Sequence, residues 1–154
     1  MRVFVVLFLV VGVAVTSGLV LLSSGSVSTP PDGPSAMVLS SGLSLYGNNC
    51  ASCHGADGKG NPGSDPPLLK TVIVTGDPIT LIRVMTQGTA KVILLQQRSK
   101  WTNTMPVNYN LTDEQIAQLL TYIRHDFGAN SSPIETAQVA KVRLQYGGPS
   151  PGQE

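Results

Sequence analysis

Cys50-Ala51-Ser52-Cys53-His54 is the stretch from which the rest of the chain is read. Two thiols three positions apart can form thioether bonds to the two vinyl groups of one haem. A histidine directly after the second thiol can bring its imidazole to the iron of that haem. Two other readings compete. A redox dithiol of this spacing belongs beside a βαβ pattern, and nothing around residue 50 alternates strand and helix. A zinc site needs four ligands in two separated pairs, and the chain has only two cysteines and two histidines. The stretch therefore predicts one covalently attached haem c, with iron as the reactive centre.

Composition narrows the partners. Formal net charge is +1 and charged residues make up 12% of the 154, so there is neither the basic footprint of nucleic-acid binding nor an acidic tail. Aromatic residues are only 5%, and a flat apolar cofactor would give the aliphatic side chains a surface to pack around.

Upstream, Val3 to Leu22 contains no charged side chain, and about 20 such residues cross a ~30 Å hydrocarbon layer as a helix. The run is longer than the apolar region of an ordinary signal peptide, although Ser24-Gly25-Ser26 and Ser26-Val27-Ser28 offer weak cleavage sites. Residues 1–22 read as a transmembrane anchor or uncleaved signal. Arg2 marks the cytoplasmic end, which puts the haem domain on the periplasmic side of the cell membrane. Residues 23–34 are rich in Ser, Pro and Gly and read as a flexible linker.

Residues 35–128 read as the haem domain and 129–154 as a short C-terminal helix and tail. From Ser35 to Asn49 a helix is expected with Met37, Val38, Leu45 and Tyr46 on one face. Residues 55–63 hold four glycines in nine positions, which suits a tight loop at a cofactor edge. A phosphate-cradling loop would instead follow a strand and open a helix. Asp77-Pro78 predicts an N-cap and first helical residue, with Ile79, Leu81, Ile82 and Met85 on the apolar side and Gly88 as the stop. Val92 to Leu95 reads equally as strand or buried helix. Thr112 and Gln115 form a capping-box pattern ahead of Ile116, Leu119, Leu120, Ile123 and Phe127 on one helical face. Ser132 to Glu135 is a second capping signal, for a helix ending near Leu144.

A haem held through His54 needs a sixth ligand or an open position. Met37, Met85, Met105 and His125 are the candidates. Met37 and Met85 lie in expected helices, where packing accounts for them. Met105 lies on a loop braced by Pro106, between the middle and last helices, and is the preferred ligand. His125 and an open site remain the alternatives.

In these features the chain resembles class I cytochrome c over roughly Gly42 to Phe127. Gly42 and Tyr46 are similar to the small residue and aromatic of that family's first helix, and Leu119 and Tyr122 to their partners on its last helix. Pro66 resembles the family proline whose carbonyl accepts the axial histidine's ring N–H. Val74 to Pro78, Trp101 before Met105-Pro106, and Leu111 to Arg124 resemble single-haem cytochrome domains that accompany dehydrogenases and respiratory complexes.

The resemblance implies an all-α cytochrome c fold around one covalent haem, here preceded by a transmembrane helix. It also implies electron transfer without a catalytic residue, with redox proteins or subunits of a membrane respiratory complex as partners. Three rivals stand beside that expectation. One is a cleaved, soluble periplasmic cytochrome serving a dehydrogenase. The others are a haem peroxidase and a haem sensor, both of which require a labile sixth ligand.

Overall fold

The computed structural model describes residues 33–92, 101–107 and 110–147. The expected span over residues 3–22, most of the linker, the Ile93–Leu95 part of the ambiguous apolar run and the tail from residue 148 lie outside the described residues. Among the described residues no helix is long and apolar enough to cross a membrane.

The described residues fold as helices with no named strand, only an isolated bridge between Asn61 and Asp65. In chain order the helices are α1 (Ala36–Asn49), α2 (Ala51–His54), α3 (Val72–Thr75), α4 (Pro78–Gln87), α5 (Thr89–Val92), α6 (Asp113–Asp126) and α7 (Thr136–Tyr146).

Each long helix begins where its sequence supplies a cap. The Ser35 hydroxyl accepts from the Val38 amide. Asp77 accepts from the amides of Ile79 and Thr80, with Pro78 as the first helical residue. Thr112 and Gln115 complete a reciprocal capping box at α6.

The crossing of α1 and α6 is the packing decision of the fold. A Cβ at Gly42 would stand 2.4 Å from both the Gln118 carbonyl oxygen and the Tyr122 Cβ. Only glycine lets the two backbones approach this closely, and that close approach offsets the ~1 kcal/mol that mid-helix glycine costs. One turn later Tyr46 meets Tyr122 and Phe127, with ring centroids 5.7 and 5.1 Å away, an arrangement aromatic pairs favour. The Tyr46 hydroxyl donates to the Gly55 carbonyl at 2.5 Å, which ties α1 to the turn after α2.

Met37 differs from the expectation. It is 78% exposed on the outer side of α1, and Gly42 and Tyr46 are the helix's buried residues. The crossing with α6 falls at Gly42 and Tyr46, in the later part of α1, so Met37 in the first turn lies clear of it.

Beyond α6 the chain packs back on the domain. Ile134, Val139 and Val142 belong to the same buried cluster as Leu119 and Leu120. Helix α7 begins at Thr136 and runs to Tyr146, later at both ends than the sequence pattern predicts. The reason is that Ser132 is already engaged: its carbonyl and hydroxyl accept from Arg124. The next residues are pinned by Thr121, whose hydroxyl donates to the Ile134 carbonyl and accepts the Ile134 amide. The cap therefore moves to Glu135, whose amide donates to Gln138.

Arg124 also joins this layer to the middle of the chain. Its guanidinium is buried and donates to the carbonyls of Val74 at 2.7 Å and Gly76 at 3.0 Å. Burial lowers its pKa from the usual arginine value, which Asp77 nearby partly counteracts.

Candidate haem site

Cys50 serves as the C-cap of α1, its amide donating to the Tyr46 carbonyl at 2.9 Å, and α2 follows at once. One helical turn therefore presents Cys50, Cys53 and His54 together. Cys50 is buried and Cys53 exposed. Burial, with a smaller contribution from Cys53, pushes the free Cys50 thiol up to about 11.

The glycine-rich loop then folds back beneath the histidine. Gly60 has φ +71°, its amide donates to the His54 carbonyl at 2.8 Å, and a Cβ there would meet the Asp65 carbonyl oxygen at 2.5 Å. This tight return brings the Pro66 carbonyl 2.8 Å from His54 Nδ1. A carbonyl only accepts, so the ring proton is on Nδ1 and the lone pair is on Nε2, the nitrogen a metal would need.

Met105 comes from a separate irregular segment. Its amide donates to the Thr89 hydroxyl at 3.1 Å and its carbonyl accepts from the Thr89 amide at 3.3 Å. Those two bonds fasten the segment to the start of α5, beside the turn at Gly88 with φ +76°.

All four predicted residues, Cys50, Cys53, His54 and Met105, line one cleft of about 1090 Å³. Its walls are mostly apolar, with Leu81 and Met85 from α4 and Leu120 and Ile123 from α6. The volume lies just above the usual range of ligand clefts, about 300–1,000 Å³, and protein interiors hold few voids larger than a water. A large apolar cleft with two thiols and an oriented imidazole at its edge fits a covalently attached planar macrocycle. Among the described residues no group of three or more His, Cys, Asp or Glu side chains is arranged to hold a metal ion, so the zinc reading has no ligand set.

The alternative ligand His125 does not line this cleft. It stands half-exposed near the end of α6, its Nδ1 2.7 Å from Asp126. Met85 is buried in the core and also lines the cleft.

Two polar cleft residues were not singled out in the sequence. Asp65 is 7% exposed and its carboxylate accepts from the side chains of Asn103, Asn61 and Ser64. Those hydrogen bonds, Asn103's foremost, hold its carboxyl below the usual carboxylate range. In sequence both Asp65 and Asn103 look like ordinary turn residues, and only the Pro66 that follows Asp65 hints at a role.

The cytochrome c family profile matches residues 39–126. The cytochrome c subunit of alcohol dehydrogenase (quinone) from Gluconobacter oxydans (strain 621H) is 30% identical over 105 residues, 66% of this chain and 22% of that protein. The fructose dehydrogenase cytochrome subunit of Gluconobacter japonicus is 33% identical over 109 residues, again 66% of this chain and 22% of that protein. The chain thus spans about a fifth of the length of these relatives. Haem electron transfer is the function that both kinds of likeness support. With the Cys50 and Cys53 spacing and the cleft that fits a macrocycle, the chain belongs to the cytochrome c family and carries haem c as its covalent cofactor.

Proposed function

We propose that the chain is a one-electron carrier in which His54 and Met105 are the two axial ligands of a single haem c, and that it works with a dehydrogenase or another membrane respiratory complex. The observation that carries this reading is the pairing of His54, with Nδ1 committed to Pro66, and Met105, on a separately fastened segment, in one apolar cleft. The bound haem supplies a one-electron couple at its iron.

The protein's part is to hold that couple still. The Pro66 carbonyl fixes the tautomer and tilt of His54, and the Thr89 clasp fixes the backbone of Met105. The walls from α4 and α6 exclude water, which keeps the site apolar and favours a relatively high potential. With both axial positions filled by side chains no position is left for substrate, and no catalytic residue is assigned. The dehydrogenase partner is inferred from the names of the two relatives.

Reduced protein mixed with ferricyanide should reoxidise completely in one fast phase. The same protein with hydrogen peroxide should show no turnover above free-haem background. Sustained peroxide consumption would replace the carrier by a peroxidase.

The uncharged run from residue 3 to 22 supports a retained span that keeps the domain at the periplasmic face of the membrane. Protein in native membranes should resist a high-salt wash and come off with detergent. Release by salt alone, or a mature N-terminus between Ser23 and Pro30, would mean cleavage and a freely diffusing carrier.

A further inference from the structure

Asp65 and Asn103 join two segments that the proposed function treats separately. Asp65 Oδ1 accepts from Asn103 Nδ2 at 2.9 Å, and the Asn103 amide donates to the Ser64 carbonyl at 3.1 Å. The other carboxylate oxygen accepts from Ser64 Oγ at 2.9 Å and Asn61 Nδ2 at 3.1 Å. Asn61 Nδ2 in turn donates to the Cys53 carbonyl at 2.8 Å. One buried carboxylate thus receives three side-chain donors. Its residue is next to Pro66, which holds His54, and its partner Asn103 is two positions before Met105.

We propose that Asp65 and Asn103 are positioning residues that latch the Met105 segment to the His54 loop across the mouth of the haem cleft, holding Met105 against displacement by outside ligands. The inference rests on Met105 being an axial ligand. Charge-assisted hydrogen bonds are the strong ones, and the carboxylate end of this one is buried, while Asn103 reaches it from the exposed side. Among the described residues Thr89, at the start of α5, ties the Met105 backbone from a different element. Loss of the side-chain latch would leave, among the described residues, the hydrogen bond from the Asn103 amide to the Ser64 carbonyl as the tie between that segment and the His54 loop.

The donor pattern supplies a specific test. In Asn103→Ala the carboxylate loses its partner across the mouth. In Asn103→Asp two carboxylates face each other and repel. In the exchanged pair Asp65→Asn with Asn103→Asp, the new amide at 65 donates to the new carboxylate at 103, and its oxygen still accepts from Asn61 and Ser64. Position 65 thus keeps its acceptor toward the loop and gains a donor toward Asp at 103.

The experiment is imidazole titration of the ferric, haem-loaded protein, followed through loss of the sulfur-to-iron charge-transfer band, with Tm measured alongside. Asn103→Ala should bind imidazole about tenfold tighter than the parent, because a latch bond to a charged group is lost on displacement in the parent but not in the variant. Asn103→Asp should bind tighter still, and the exchanged pair should return to within about threefold of the parent.

If Asn103→Ala lowers Tm but keeps the parent's imidazole affinity, the pair is merely structural and the proposal is overturned. Failure of the exchanged pair to recover from Asn103→Asp would overturn it too. Met105→Ala separates this from failure of the ligand assignment. If the parent lacks the sulfur band and binds imidazole as Met105→Ala does, the assignment is wrong and the latch falls with it.

Discussion

Gly42→Ala tests the geometry on which the domain is built, and Gly47→Ala is its internal control on the same helix. At Gly42 the added methyl would lie 2.4 Å from the Gln118 carbonyl oxygen and from the Tyr122 Cβ. Ordinary carbon contacts lie near 3.5 Å, so α1 and α6 must separate by roughly 1 Å. Neither obstructing atom can rotate away, which puts the overpacking cost near the upper end of the usual range, about 3 kcal/mol. Alanine recovers about 1 kcal/mol of helix propensity, leaving a net loss of about 2 kcal/mol.

At Gly47 nothing lies within 4 Å of the built Cβ, so only the propensity gain of about 0.5–1 kcal/mol remains. At about 4 °C per kcal/mol for a domain of this size, Gly42→Ala should lower Tm by roughly 8 °C and Gly47→Ala should raise it by about 2–4 °C. The assay is thermal unfolding of the haem-loaded protein by far-ultraviolet circular dichroism. A Gly42→Ala variant as stable as the parent would refute the close crossing.

Arg124→Lys keeps the charge but cannot reach Val74, Gly76 and Ser132 together, so it should lose at least two charge-assisted bonds and about 3 kcal/mol or more in urea unfolding; an unchanged midpoint would show that the guanidinium fork is dispensable. Burial alone would raise the Asp77 carboxyl, but hydrogen bonds from the Thr80 side chain and the Ile79 and Thr80 amides outweigh it and leave the group below its ordinary value. A depressed folded pKa contributes stability above the unfolded value near 3.9 and loses it as pH falls through the folded one. The advantage over Asp77→Asn should therefore be constant above about pH 5 and shrink progressively as pH falls from about 4 through the depressed folded pKa; a difference independent of pH in urea titrations would contradict the assignment.

Much of the site was legible because its chemistry is carried by contiguous residues. Cys50, Cys53 and His54 lie within one turn, and the caps at Asp77 and Thr112 are local patterns that need no tertiary information. Helix α3 was not legible. Its four residues, Val72 to Thr75, are β-branched and favour extended backbone in isolation. They turn helical because Thr71 caps them, Val74 is buried and Arg124, fifty residues on, binds the Val74 carbonyl. The start of α7 failed for a similar reason, since Ser132 is consumed by Arg124 before it can cap. Asp65 and Asn103 lie 38 residues apart, and no local pattern links a loop carboxylate to a loop amide that the fold places beside it.

The central claim is that Met105 occupies the second axial position, and carbon monoxide added to the dithionite-reduced protein tests it most directly. Carbon monoxide needs a vacant position on ferrous iron, so the parent spectrum should stay unchanged, as should that of Met85→Leu, which alters the other methionine of the cleft at similar volume. Met105→Ala should bind the gas at once and lose the sulfur-to-iron band in its oxidised form. The account is contradicted if the parent binds carbon monoxide as readily as Met105→Ala, or if Met85→Leu opens the iron while Met105→Ala leaves it closed.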